Sequence, residues 1–222
     1  FVHREDRLKL PAVRGMDAFP MEQAPESWET GLSKANDLVG GAARSGKRIG
    51  LLVSPMLSCE DAYLLAKWVL TQDPQAELAV GPVPVHGADK NFPGGFTMYA
   101  EKAPNARGVR RVLEALAKGR AVHDAAAFEK ALAAGSIGTA VVTGNYPSDW
   151  VGAGLREALS RVPFLLIDTL PTSLTPLASV TLPGAVWLEK SGSFENAKGR
   201  LQGFDRAVQP TDFAKAECQI AL

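Results

Sequence analysis

The chain has 222 residues, with 24 basic side chains against 24 acidic ones, so its net charge is zero. That balance leaves no electrostatic footprint for nucleic acid or an anionic membrane surface, and the short basic run Arg107, Arg110 and Arg111 reads as a solvated helix face. A chain of this length buries roughly 70% of its unfolded surface, enough to hold a core without disulfides or metal.

Residues 1–26 are rich in charge and proline and predict an extended arm or linker, leaving 27–222 as one domain. No apolar run follows Phe1-Val2-His3-Arg4, so no secretory leader is read, and the apolar stretches at 49–53 and 163–167 are too short to span a bilayer. A reducing, cytoplasmic setting is expected. The first residue is Phe rather than Met, which suggests that the chain was cut from something longer.

Ser27 is placed to cap a helix whose apolar face is Trp28, Leu32, Ala35 and Val39, stopped by Gly40 and Gly41. Residues 48–54 (RIGLLVS) form a continuous apolar run, the pattern of a strand buried on both faces. Ser58 caps the next helix, with Glu60 and Asp61 in its first turn, where the dipole favours acids, and Asp73-Pro74 ends it. Residues 77–81 predict a short strand. Residues 82–104, dominated by Gly, Pro and aromatics without a period, predict a long loop. Two helices follow, one on the stripe Val109, Val112, Leu113 and Leu116, the other over 126–134. The spacing then predicts a strand over 139–143, a helix capped by Ser148 and running to about 160, and strands over 164–168 and 179–182. Strands alternating with helices imply an α/β fold, a doubly wound, mainly parallel, Rossmann-like sheet.

The segment Gly41-Ala42-Ala43-Arg44-Ser45-Gly46-Lys47 spells the start of a phosphate-binding P-loop. However, Arg48 stands where Ser or Thr would hold magnesium, and the segment precedes a strand instead of following one. His3, His86 and His123 are scattered, the two cysteines Cys59 and Cys218 are far apart, and no CxxC or HxxxH spacing exists. No G-x-S-x-G elbow appears. In doubly wound sheets ligands collect at the carboxyl ends of strands. The residues there are Ser54, the run Gly144-Asn145-Tyr146-Pro147-Ser148-Asp149, and Asp168-Thr169. Either a ligand site or ordinary turn chemistry accounts for them.

The C-terminal third carries a more specific pattern. Asp168-Thr169-Leu170 is followed by Thr172-Ser173-Leu174-Thr175 and by Ala178-Ser179-Val180-Thr181-Leu182-Pro183. Then come Glu189, Gly192, Phe194, Asn196 and Gly199-Arg200-Leu201-Gln202. This resembles the molybdopterin oxidoreductase family, with Ser179 where that family usually has aspartate. Residues 54–68, the loop Pro104-Asn105-Ala106-Arg107-Gly108, the strand-loop 138–147 and the arm fall in family order. Two departures bear on function. Val85, in Val83-Pro84-Val85-His86-Gly87, falls where catalytic members place the cysteine, selenocysteine or serine that binds molybdenum or tungsten. In addition, the family's large middle insertion is missing between residue 82 and Asn105, and His86 is left without a metal to work beside.

The resemblance therefore implies a non-catalytic member, like the metal-free region in the large peripheral subunit of NADH-quinone oxidoreductase (complex I). Its expected partners are the other peripheral-arm subunits, with no nucleic acid and no direct membrane insertion. Association with the inner membrane would come only through the parent complex. The implied cofactors are none in this chain, with iron–sulfur clusters upstream in the parent subunit. A vestigial pterin groove would contain Asn105, Gly108, Gly144, Asn145, Asp168 and Thr169, with Glu189 and Arg200 organising the C-terminal loop and residues 1–26 as a tether. The alternatives are a shortened molybdopterin enzyme such as a formate dehydrogenase, and a nucleotide-binding module using the 144–149 and Asp168 loops.

Overall fold

The structure, a computed structural model, describes residues 4–15, 23–210 and 213–222. Five parallel strands form its centre: β3 (Ile49–Val53), β4 (Glu77–Val80), β7 (Thr139–Thr143), β8 (Phe164–Asp168) and β9 (Val180–Pro183). They lie in the order β9-β8-β7-β3-β4. Along these strands every residue but Glu77 of β4 is buried, which is why their sequences are dominated by apolar residues.

Successive side chains alternate between two cores. Leu51, Val53, Leu78, Val80, Val141, Leu165 and Ile167 face the layer formed by α1 (Trp28–Arg44), α2 (Cys59–Gln72) and α3 (Ala106–Ala117). Leu52, Ala79, Val142 and Leu166 face α4 (Ala125–Ala133) and α5 (Ala153–Leu159). Helices on both faces of a parallel sheet make the fold α/β and doubly wound.

Four local expectations need correction. α1 runs through Gly40 and Gly41 to Arg44. The position of Gly40 is packed between the Arg44 and Gln72 side chains, and this tertiary contact overrides glycine's weak helix propensity. Residues 82–104 are not a structureless loop, because β5 (Lys90–Phe92) and β6 (Phe96–Met98) pair as an antiparallel hairpin. α5 begins at Ala153, not at Ser148. The residues between are held by side-chain bonds described below.

The fourth correction concerns the arm, of which positions 1–3 and 16–22 lie outside the described residues. Its β1 (Ala12–Arg14) pairs antiparallel with β9 and with β2 (Gln23–Pro25), extending the sheet by two strands. Arg7, almost wholly buried, forms a two-pronged ion pair with Glu189, at 2.6 and 2.8 Å. Arg7, β1 and β2 are therefore built into the domain rather than leading away from it as a tether. A second hairpin, β10 (Gly192–Glu195) with β11 (Leu201–Phe204), and the short α6 (Glu217–Ile220) complete the fold.

Candidate functional site

The chain leaves β3 for β4 on one side and returns to β7, β8 and β9 on the other, so the strand order reverses between β3 and β7. A crevice at the carboxyl ends of these two strands is where such sheets receive ligands. Here the molecule fills it with its own side chains. The Ser54 amide donates to Thr143 Oγ1 at 2.8 Å, and that hydroxyl donates to the Leu52 carbonyl, clasping the two strand ends together. Tyr146, 2% exposed, lies across the gap and donates its phenol to the Pro82 carbonyl at 2.7 Å. Its ring stacks on Trp150 at 4.9 Å between centroids. What remains outside is a mostly apolar groove of about 380 Å³ beside Met56, Pro82, Pro84 and the Tyr146–Trp150 pair. Asp149 stands at its rim, but its carboxylate already accepts from the Val151 and Ser173 amides.

Behind the crevice runs a buried polar network. Trp150 Nε1 donates to Asp168 Oδ2 at 3.1 Å. Asp168 Oδ1 accepts from the Asn145 amide at 2.8 Å and the Thr169 amide at 2.7 Å. The Asn145 side chain donates to the Ala185 carbonyl and to Glu217. Glu217 pairs with Lys190, and Lys190 reaches Asp61 Oδ2 at 2.9 Å. Asp61 in turn accepts from the Ser58 hydroxyl and from the Cys218 amide. A buried ion is tolerated only when paired and hydrogen-bonded; Lys190, Asp61 and Glu217 meet both conditions, whereas Asp168 is held by hydrogen bonds without a cation beside it. The network ties α2, the strand ends and the C-terminal residues into one unit.

The six groove residues fall into two sets. Gly144, Asn145, Asp168 and Thr169 meet at the ends of β7 and β8. A Cβ on Gly144 would stand 1.9 Å from Asp168 Oδ2, so the glycine is needed for the close approach of that carboxylate. Asn145 takes φ 75°, in the left-handed region that Asn tolerates. Thr169 is buried, and its hydroxyl has no hydrogen-bond partner. Asn105 and Gly108 lie apart from these, at the start of α3. Asn105 Nδ2 donates to the Leu57 carbonyl, its Oδ1 accepts from the Glu195 amide, and a Gly108 Cβ would stand 2.1 Å from that same Oδ1. Glu189 is held by Arg7 and accepts from the Val186 amide, organising its loop as the sequence predicts. In the turn that holds the exposed Arg200, the ordering group is Asn196, whose Oδ1 accepts from the Lys198 and Arg200 amides.

Sequence reasoning missed Lys190 and Glu217 and the roles of Asp61 and Tyr146. Asp61, Lys190 and Glu217 are brought together from positions 61, 190 and 217, and no local spacing signals a contact over that separation. Tyr146 was named only within the strand-end run, as part of a ligand site or of a turn. Neither cysteine is in a disulfide. The Cys218 thiol is pushed up to about 12, by burial first and then by Asp61, which leaves it inert as a nucleophile near neutral pH.

These carboxylates set a pH dependence. Burial raises Asp168 to about 6, against the hydrogen bonds from Asn145, Trp150, Thr169 and Leu170. Burial also pushes Glu217 up to about 7, because the single cation of Lys190 is shared with Asp61 and cannot neutralise both acids. In the unfolded chain such groups titrate near pH 4, so between about pH 4 and 7 the folded state binds more protons than the unfolded one. Stability is therefore full at the acid end of that window and falls as pH rises through it. Asp61, which burial alone would raise, is held below its usual range by Lys190 and weakens the fold only in more acid solution. Urea unfolding is expected to show a loss of about 2–4 kcal/mol between pH 5 and pH 8, with Asp168→Asn removing part of the slope. Stability that is flat or rising over that interval would contradict the assignment.

Fold and site together define a doubly wound α/β domain closed on itself at its switch point, and comparison with known proteins finds similarity in its C-terminal part. Residues 155–221 match the molybdopterin oxidoreductase family. The chain is 34% identical over 68 residues to a nitrate reductase of Symbiobacterium thermophilum, covering 31% of this chain and 9% of that protein. It is 40% identical over 57 residues to the F420-dependent formate dehydrogenase subunit alpha of Methanocaldococcus jannaschii, covering 25% of this chain and 8% of that protein. The matched stretches are thus a small part of much longer relatives. A chain in the crystal structure of the formyltransferase/hydrolase complex of Methylorubrum extorquens has the same fold, with a TM-score of 0.53 and 10% identity. That likeness covers 95% of this chain and 96% of the other.

At the positions that the resemblance assigns to a metal-bearing pterin, the residues present do not fit one. Val85, 67% exposed on the stretch before the β5–β6 hairpin, offers no lone pair. His86 is exposed and bonds through its backbone to the Ala100 carbonyl. The clearances at Gly108 and Gly144 are filled by Asn105 and Asp168 of the protein itself.

Proposed function

We propose that this chain is a non-catalytic structural subunit, or part of one, in a multi-subunit assembly, and that it keeps the molybdopterin oxidoreductase framework without its chemistry. The observation that carries this reading is the filled crevice: Tyr146, Trp150 and Asp168 occupy, from within, the place where the fold would receive a cofactor. The resemblance of its motifs supports a parent in the peripheral arm of NADH-quinone oxidoreductase. There the chain would belong to the large electron-input subunit, downstream of its iron–sulfur segments, with other peripheral-arm subunits as partners. No helix among the described residues is long and apolar enough to cross a membrane, which agrees with a peripheral position.

A second reading of the parent assembly is a complex of the formyltransferase/hydrolase kind. It is favoured by mutual length, since the structural likeness takes in nearly all of both chains, whereas the oxidoreductase relatives match over less than a tenth of theirs. In both readings this chain contributes shape and contact surface, and the chemistry belongs to its partners.

Metal analysis of the purified chain, expressed with molybdate or tungstate in a host that makes the pterin cofactor, tests the shared claim. Substoichiometric metal at background level is expected, and one molybdenum or tungsten per chain would overturn it. Co-expression with the candidate partners of each assembly, read by the mass of the purified complex, separates the two parents.

A further inference from the structure

At the opposite end of the sheet, away from the filled crevice, the carboxyl ends of α2 and α3 border an open groove of about 540 Å³. Its floor is apolar, built from Leu70, Leu116 and Pro74, and its charged lining groups are Lys67, Lys118 and Arg120, with no carboxylate among them. Arg120 is fixed in place by a 2.8 Å hydrogen bond to the Ala76 carbonyl, and Lys67 lies 5.8 Å from the centroid of the Tyr63 ring. The two helix ends carry roughly half a negative charge each, which leaves the groove with about two positive charges over a chain whose net charge is zero.

We propose that this groove is a docking site for an acidic, amphipathic peptide segment of a partner protein. Carboxylates of the segment pair with Lys67, Lys118 and Arg120, and an aliphatic side chain packs between Leu70 and Leu116. The apolar floor and the small number of cations separate this occupant from nucleic acid, which would need more phosphate contacts than three side chains supply; the exposed Tyr63 ring lies outside the lining of the groove. The site is distinct from the crevice and stands whether or not that crevice is inert.

The probe is a fluorescein-labelled helical peptide of about a dozen residues, with a leucine stripe on one face and glutamates on the other, titrated against the full chain. Saturable binding in the micromolar range at low salt is expected, weakening several-fold as the ionic strength rises to about 0.3 M. The pair Lys67→Glu and Lys118→Glu, both on exposed side chains, is expected to weaken binding about tenfold while lowering the thermal midpoint by no more than about 4 °C, the cost of an acid at the α3 carboxyl end. A peptide with its leucines changed to serine is expected to bind as weakly as the double variant does. The proposal is overturned by equal affinity of wild type and double variant, by no saturation up to about 1 mM, or by an RNA oligonucleotide that binds through these lysines more tightly than the peptide.

Discussion

Replacing Lys190 with methionine is expected to lower the unfolding free energy by about 3–5 kcal/mol at neutral pH, the range for removing one partner of a buried ion cluster. Lys190, Asp61 and Glu217 have side chains between 0% and 3% exposed. Methionine keeps most of the stem volume, so the loss measures charge rather than a cavity. Without the cation, both acids must take protons to stay buried. The cost is therefore small near pH 4, where the unfolded carboxylates are half-protonated too, and grows toward pH 8. Adding Glu217→Gln to Lys190→Met removes one of the stranded acids and is expected to recover part of the loss. Urea unfolding of the single and double variants at two pH values is the measurement. A Lys190→Met cost below about 1 kcal/mol, as for an exposed ion pair, would show that water reaches the cluster and that it does not hold the C-terminal residues.

The second large effect is expected from Gly144→Ala. The new methyl would stand 1.9 Å from one Asp168 oxygen and 2.3 Å from the other, so the carboxylate has to leave. Its departure breaks the bonds from Trp150, Asn145 and Thr169 together. Overpacking costs about 1–3 kcal/mol, and stranded buried donors add a similar amount. A loss of about 3 kcal/mol corresponds to a melting temperature lower by roughly 6–12 °C for a domain this size. Trp150 fluorescence should change as well, because its indole loses the Asp168 partner. A variant that melts within about 2 °C of the parent would mean that the strand ends are loose enough to admit a ligand, and the reading of a self-filled crevice would fail.

What could be read in advance follows from the range of the forces involved. The parallel strands were legible because burial on both faces leaves an unbroken apolar run, as in Ile49–Val53 and Phe164–Asp168. The start of α2 was legible because Ser58 accepts from the Asp61 amide, a bond between residues three apart. The start of α5 was not, because Trp150 and Asp149 are held by Asp168 and Ser173 from another part of the chain. The passage of α1 through two glycines depends on Gln72 of α2 in the same way. For the site, residue types at strand ends pointed to Gly144, Asn145, Asp168 and Thr169. That Asp168 turns inward to four donors, and that Tyr146 closes the gap, are properties of packing that the types alone leave open. The hydrocarbon at position 85 was visible in the sequence.

The pairing of Arg7 with Glu189 spans 182 positions, and β1 waits on β9 in the same manner. During synthesis at about 5–20 residues per second, Arg7 and β1 leave the ribosome some ten to forty seconds before Glu189 and β9 exist. Over that interval an unpaired cation and one lateral border of the nascent sheet are open to any passing chain. Strictly vectorial assembly is thus closed to this sheet: β1, made well before β9, is among the last of its strands to settle.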